Sequence, residues 1–165
     1  MIVALTGTPG TGKTSVAREL EGFEILDLTE FVKKHGIGKQ GDKEFNVDVT
    51  EMRKKLEEEI EDDQDTIIEG HLAHHFLADY CVVLRCDPEE LERRLQKRDY
   101  SQEKINENIE SEMLDVILTE AVGIQQNIIE IDTTDRELIE TVQRIKEKLR
   151  NDETGYGRVD WTDHL

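Results

Sequence analysis

The stretch Gly7-Thr8-Pro9-Gly10-Thr11-Gly12-Lys13-Thr14 fits the pattern G-x-x-x-x-G-K-[ST] in full. Glycines at this spacing let successive backbone N–H groups converge on one anion, and the amino terminus of a following helix adds partial positive charge. Lys13 is placed to reach the β and γ phosphates of a nucleoside triphosphate, and the Thr14 hydroxyl to hold Mg2+. Gly10, Gly12, Lys13, Thr14 and Ser15 are the expected phosphate-binding residues, and phosphoryl transfer from ATP is the expected chemistry.

Magnesium needs a second oxygen donor, which proteins with this loop usually supply at the end of another strand. Asp65-Thr66-Ile67-Ile68-Glu69 ends on a carboxylate, so Glu69 is the expected second metal residue. His71, two residues on, is placed to orient a water or a phosphate, or else simply lies at the surface. With His74 and His75, His71 stands at a spacing that could place imidazoles on one helical face as metal ligands, but no further Cys or His cluster completes a transition-metal site. Arg94 and Arg98 stand four apart in Arg93-Arg94-Leu95-Gln96-Lys97-Arg98, where one helical face could bring both onto the migrating phosphoryl charge. The bland alternative is a basic helix end complementing its own dipole. Lys13, Arg98, Arg94 and His71 are the expected catalytic set.

These groups need a scaffold. Residues 2–6 read as a strand before the glycine-rich loop, and residues 13–20 as a helix with Val16, Ala17 and Leu20 inward. Residues 23–28, 65–69, 80–84 and 128–131 are further strand candidates, short and mostly continuously apolar, as in a parallel sheet covered on both faces. Between them, Thr29 can cap a short helix, and Asp48 or Thr50 one that buries Met52, Leu56 and Ile60, with Glu51 four residues before Lys55. Asp87-Pro88-Glu89-Glu90 starts another helix, and Ser101 starts one whose Ile105, Ile109, Met113, Val116 and Ile117 recur at spacings of three and four. Thr134 with Glu137 reads as a capping box for the last helix. Glycines 36, 38 and 41 mark residues 35–46 as a mobile loop. Strands alternating with helices give an α/β fold with a five-stranded parallel sheet.

The chain has 165 residues, enough for one domain, here residues 1–150. Residues 151–165 form a polar tail, read first as a frayed terminus, with docking of the lone Trp161 on the domain or on a partner as the alternative. Lys and Arg number 21 against 39 Asp and Glu, a net charge of −18 that opposes any extensive direct grip on nucleic acid. Two cysteines make no disulfide framework, and no run approaches a membrane span, so a reducing cytoplasm is the expected location.

No N-K-x-D guanine-reading motif is present. The chain instead resembles the nucleoside monophosphate kinases, in particular the adenylate kinase isoenzyme 6 family of archaea and eukaryotes. The carriers are residues 6–14, the strand end Ile67-Ile68-Glu69-Gly70-His71, and the run Arg98-Asp99-Tyr100-Ser101-Gln102-Glu103-Lys104-Ile105-Asn106-Glu107-Asn108-Ile109. The resemblance covers residues 1 to about 149 and implies the P-loop NTP hydrolase fold. It also implies a short lid at about residues 98–108 in which Arg98 closes over ATP, and a monophosphate arm at about residues 28–51.

It further implies a broad monophosphate kinase that favours AMP, an accompanying ATPase activity, and a part in late small ribosomal subunit maturation through a small-subunit protein of the uS11 type. The chain departs from the family pattern in two places. Glu69 stands where the family commonly has Asp, and Glu30 where an arginine is common, with Lys33, Lys34 or Arg53 as substitutes. Two rival readings keep the same ATP residues: a ribosome-assembly ATPase with incidental kinase activity, and a small-metabolite P-loop kinase.

Overall fold

The computed structural model describes residues 1–42, 45–61 and 63–165. In chain order the elements are β1 (Ile2–Gly7), α1 (Lys13–Glu19), β2 (Glu24–Asp27), α2 (Leu28–His35), β3 (Lys39–Gln40), β4 (Phe45–Asn46), α3 (Val49–Glu59), β5 (Thr66–Glu69), β6 (Tyr80–Arg85), α4 (Pro88–Gln96), α5 (Gln102–Met113), α6 (Val116–Ile124), β7 (Ile128–Asp132) and α7 (Leu138–Arg150). Single 3-10 turns lie at Ala73–His75 and Thr162–His164.

The five expected strands pair in the order β2-β5-β1-β6-β7, all parallel. Their side chains alternate between two faces, which is why both sides carry helices. Ala4, Ile68, Cys81, Val83 and Ile128 pack with side chains of α2, α3 and α6, among them Phe31, Met52, Leu56 and Ala121. Val3, Leu5, Ile67, Val82, Leu84, Ile129 and Ile131 pack on the other side with Val16, Ala17 and Leu20 and with Val142 and Ile145 of α7. A smaller cluster of Cys86, Leu91, Leu95 and Ile105 joins α4 to α5. The central strand β1 ends between β5 and β6, where an open α/β sheet forms its crevice beyond the carboxyl ends of the strands.

Local details differ from the sequence expectations, each for a visible reason. Asp27, not Thr29, caps α2, accepting from the Glu30 N–H at 3.0 Å. Lys55 pairs with Glu58 and Glu59 rather than with Glu51. The single helix expected from Ser101 through Ile117 is two, α5 and α6, broken where Asp115 takes a left-handed φ of 53°. An aspartate tolerates that conformation, and here the break turns its carboxylate onto Arg85. The Thr134–Glu137 capping box does not form: the Thr134 hydroxyl donates to Asp132 at 2.5 Å and accepts from the Asp87 N–H at 2.9 Å, so α7 starts at Leu138. Within the expected 35–46 loop, β3 and β4 pair antiparallel; Lys43 and Glu44 lie outside the described residues.

The tail is docked. Gly155 pairs in parallel with Ile129, its N–H donating to the Ile128 carbonyl at 2.7 Å and its carbonyl accepting from Glu130 at 3.0 Å. The N–H groups of Arg158 and Val159 donate to Glu130 Oε2 at 2.9 and 3.4 Å, and His164 Nε2 lies 2.9 Å from Asp87 Oδ2. No helix among the described residues is long and apolar enough to cross a membrane.

Candidate active site

The loop between β1 and α1 is braced from outside and open on its concave side. Thr11 Oγ1 donates to the Thr8 carbonyl at 2.8 Å, and Thr133 Oγ1 lies 3.1 Å from the Thr11 carbonyl. Gly10 has φ +95°, and a Cβ there would meet Leu91 Cδ1 at 2.9 Å, so this glycine lets α4 press against the loop. Gly12 has φ +100° with nothing within 4 Å of where a Cβ would stand. Its left-handed conformation turns the chain into α1 and keeps the cradle clear. Among the described residues, no acceptor takes the N–H groups of Gly10, Gly12 or Lys13, which leaves three donors for an anion at a helix amino terminus.

Lys13 Nζ donates back to the Gly7 and Thr8 carbonyls at 2.8 and 3.1 Å. Burial, with the nearby charge of Arg98, lowers its pKa to about 8 against the opposing pull of Glu69 and Glu112. A polyphosphate restores what the surroundings remove, because an anion beside the ammonium favours its charged form. Thr14 Oγ1 donates to Glu69 Oε1 at 2.8 Å, so the two residues expected to share a metal meet across 55 positions of sequence. Both present oxygen, the donor that Mg2+ prefers.

His71 follows Glu69 at the cleft, and its pKa is pushed down to about 4 by desolvation, then by the charges of Lys13, His74 and Lys104. The two arginines part company. Arg98 lies past the end of α4, exposed, with its guanidinium 5.9 Å from the Tyr100 ring centre, so it does not share a helical face with Arg94. Arg94 is held between Glu90 at 2.9 Å, the Gly10 carbonyl at 3.4 Å and the Thr133 and Thr134 carbonyls at 2.9 and 3.2 Å. With these contacts it links the phosphate loop to the β7–α7 connection. Lys104 Nζ lies 4.1 Å from the Tyr100 ring centre, and its charge helps lower the His71 pKa.

The family described as "AAA domain" matches residues 3–115 of this chain. A Methanocaldococcus jannaschii protein named "Putative adenylate kinase" is 41% identical over 169 residues, covering 99% of this chain and 94% of its own. The chain belongs to this archaeal adenylate kinase family. Among solved structures, shikimate kinase from Acinetobacter baumannii has a TM-score of 0.64 at 19% identity, covering 92% of this chain and 94% of that one. Deoxyadenosine kinase from M. mycoides has a TM-score of 0.60 at 17% identity, covering 92% and 100%. At such identities the likeness is one of fold, and the fold is that of the P-loop kinases.

Two residues central to this P-loop kinase carry no motif in the sequence. Glu112 is 3% exposed and receives four donors: Thr8 Oγ1 at 2.6 Å, Arg85 Nε at 2.8 Å, the Cys86 N–H at 3.2 Å and Trp161 Nε1 at 3.1 Å. Arg85, 2% exposed, also meets Glu130 at 2.9 Å and the Asp115 carboxylate. Burial works against the Arg85 charge, and Glu112 and Asp115 outweigh it, so its pKa is raised. A weaker signal existed: Glu112 occupies the next inward place after Ile105 and Ile109, and Arg85 follows Cys81 and Val83 on one strand face. A charge on an apolar stripe is uncommon unless it is paired.

Proposed function

We propose that this P-loop kinase transfers the γ-phosphoryl group of ATP to a nucleoside monophosphate, AMP foremost. The observation that carries the reading is the 2.8 Å contact of Thr14 with Glu69 beside a loop whose inner N–H groups point at no protein acceptor among the described residues. The Gly10, Gly12 and Lys13 amides hold the phosphates, with Ser15 in the first turn of α1, and Lys13 leaves its carbonyl partners to position the γ group. Thr14 and Glu69 would hold Mg2+ directly or through water; when bound with ATP it neutralises charge on the β and γ oxygens. Arg98 swings from Tyr100 over the developing charge, with residues 98–108 as the lid. Arg94 keeps the loop in register with β7 and touches no phosphate. The segment 28–51 receives the monophosphate, where Lys33, Lys34 and Arg53 are exposed and stand in for an arginine at the place of exposed Glu30.

A second reading draws on the net charge of −18 and on His71 two residues past Glu69. In it the protein is an ATPase of ribosome assembly, His71 orients the attacking water, and a basic small-subunit protein of the uS11 type is the partner. Diphosphate formation separates the two. ADP production is measured with Mg·ATP alone and with each monophosphate added, alongside Lys13→Ala. Strong acceleration by AMP, with two ADP formed per ATP consumed and no release of inorganic phosphate, is the expected result. Slow hydrolysis indifferent to every monophosphate would overturn the kinase reading, and His71→Gly lowering hydrolysis more than transfer would support the ATPase.

A further inference from the structure

Behind the phosphate loop, on the far side of Thr6, three side chains converge that the kinase chemistry does not use. His74 is fully buried in the 3-10 turn Ala73–His75, with Nε2 2.9 Å from Glu120 Oε2 of α6. The His75 Nε2 lies 3.8 Å from the same oxygen, and the two imidazole centres are 4.2 Å apart. One ligand atom from each of the three residues lies within 4.8 Å of the others.

The hydrogen bonds around His74 admit two tautomers. Its Nδ1 is 3.0 Å from Thr6 Oγ1, and that hydroxyl lies 3.3 Å from the His71 carbonyl. A hydroxyl has one proton. When Thr6 gives it to the carbonyl, which can only accept, Thr6 must accept from His74 Nδ1–H. The neutral ring then turns the lone pair of Nε2 toward a carboxylate oxygen, and two acceptors face each other at hydrogen-bond distance. When Thr6 instead donates to Nδ1, the ring's Nε2–H donates to Glu120; a cation between Nε2 and Oε2 would take the place of that proton and go with the first arrangement.

We infer that His74, His75 and Glu120 form a site for a borderline transition-metal cation, Zn2+ before others. Two imidazoles and one carboxylate are a set that binds zinc with the fourth position left to water. In a tetrahedral site with bonds near 2.05 Å the ligand atoms are about 3.3 Å apart, and the contacts of 2.9 and 3.8 Å to Glu120 bracket that spacing. Glu120 is 47% exposed, so the ion has a way in. The Nδ1–H bond to Thr6 supplies the outer partner that fixes a metal-binding histidine in its tautomer. Zinc here staples the segment after β5 to α6 and, through Thr6, the strand that enters the phosphate loop. The oxygen pair Thr14 and Glu69 is a separate site.

The test uses the full chain without a purification tag, stripped with a chelator and titrated with Co2+ and Zn2+. The expected result is one equivalent of Co2+ with the visible absorption of a four-coordinate site, displaced by Zn2+, and a raised unfolding temperature with Zn2+. His75→Ala and Glu120→Gln should each weaken binding by more than about tenfold, while Glu69→Gln retains it. Absence of the Co2+ spectrum overturns the proposal. So does binding that survives both ligand variants, or that is lost with Glu69→Gln alone.

Discussion

Thr8 Oγ1 donates a 2.6 Å hydrogen bond to Glu112 Oε2, tying the phosphate loop to a helix 104 residues further along the chain. The other oxygen of that carboxylate takes Arg85, the Cys86 N–H and the Trp161 indole. The loop's shape therefore depends on α5, β6 and the tail together, as well as on its own glycines.

Replacing Lys13 by alanine removes the ammonium that positions the γ-phosphoryl group. Turnover should fall by at least about 10²-fold, while stability changes little, because the burial that disfavours the Lys13 ammonium offsets its two carbonyl contacts. ADP production and urea unfolding on the same preparation check both halves, and near-normal turnover would end the assignment.

Arg85→Met leaves the Glu112 and Glu130 carboxylates, 3% and 2% exposed, without their cation. The expected loss of stability is about 3–5 kcal/mol. Urea denaturation reads it directly. A loss under about 1 kcal/mol would mean that water reaches these carboxylates and the ion cluster is not a structural hub.

Trp161 is the one tryptophan in the chain, so its fluorescence reports the tail alone. With the tail docked, the fluorescence transition in urea should coincide with loss of helix measured by circular dichroism. Trp161→Phe should cost about 1.5–3 kcal/mol through the lost hydrogen bond to a charged acceptor. An earlier, separate fluorescence transition would restore the frayed terminus expected from its composition.

Burial pushes the thiols of Cys81 and Cys86 up to about 12. Only the thiolate attacks, so a thiol reagent at pH 8 meets roughly one reactive group in 10⁴. Both cysteines should stay unmodified in the native protein and react promptly in denaturant. Raising the pH increases the thiolate fraction, so any residual native rate should climb steadily above pH 8.

What was legible in the sequence was local. Gly7 to Thr14 announce themselves because their chemistry lies within one turn of chain, and Glu69 because a carboxylate closing an apolar run of strand length is costly to bury without a partner. The strands were readable from the same cause, since burial on both faces leaves continuous apolar runs. Arg94 and Arg98 were placed on one helical face because helical periodicity was extended past Gln96, where α4 ends, and Asp115 was hidden because a left-handed residue has no periodic signature. Glu112, Trp161 and the docked tail depend on contacts between distant segments. Periodicity carries no record of which charged residue on one helix faces which on another.

The parallel pairing of Gly155 with Ile129 has a bearing on how the protein survives at high concentration. β7 is the last strand of the sheet, and a last strand offers unpaired N–H and C=O groups to any passing chain. The tail takes the Ile128 carbonyl and the Glu130 N–H for itself, and its Glu153, Asp160 and Asp163 add negative charge along that side. A chain cut at residue 150 would lose the indole's contact with Glu112 and expose the strand Ile128–Asp132 as a template for sheet-to-sheet aggregation.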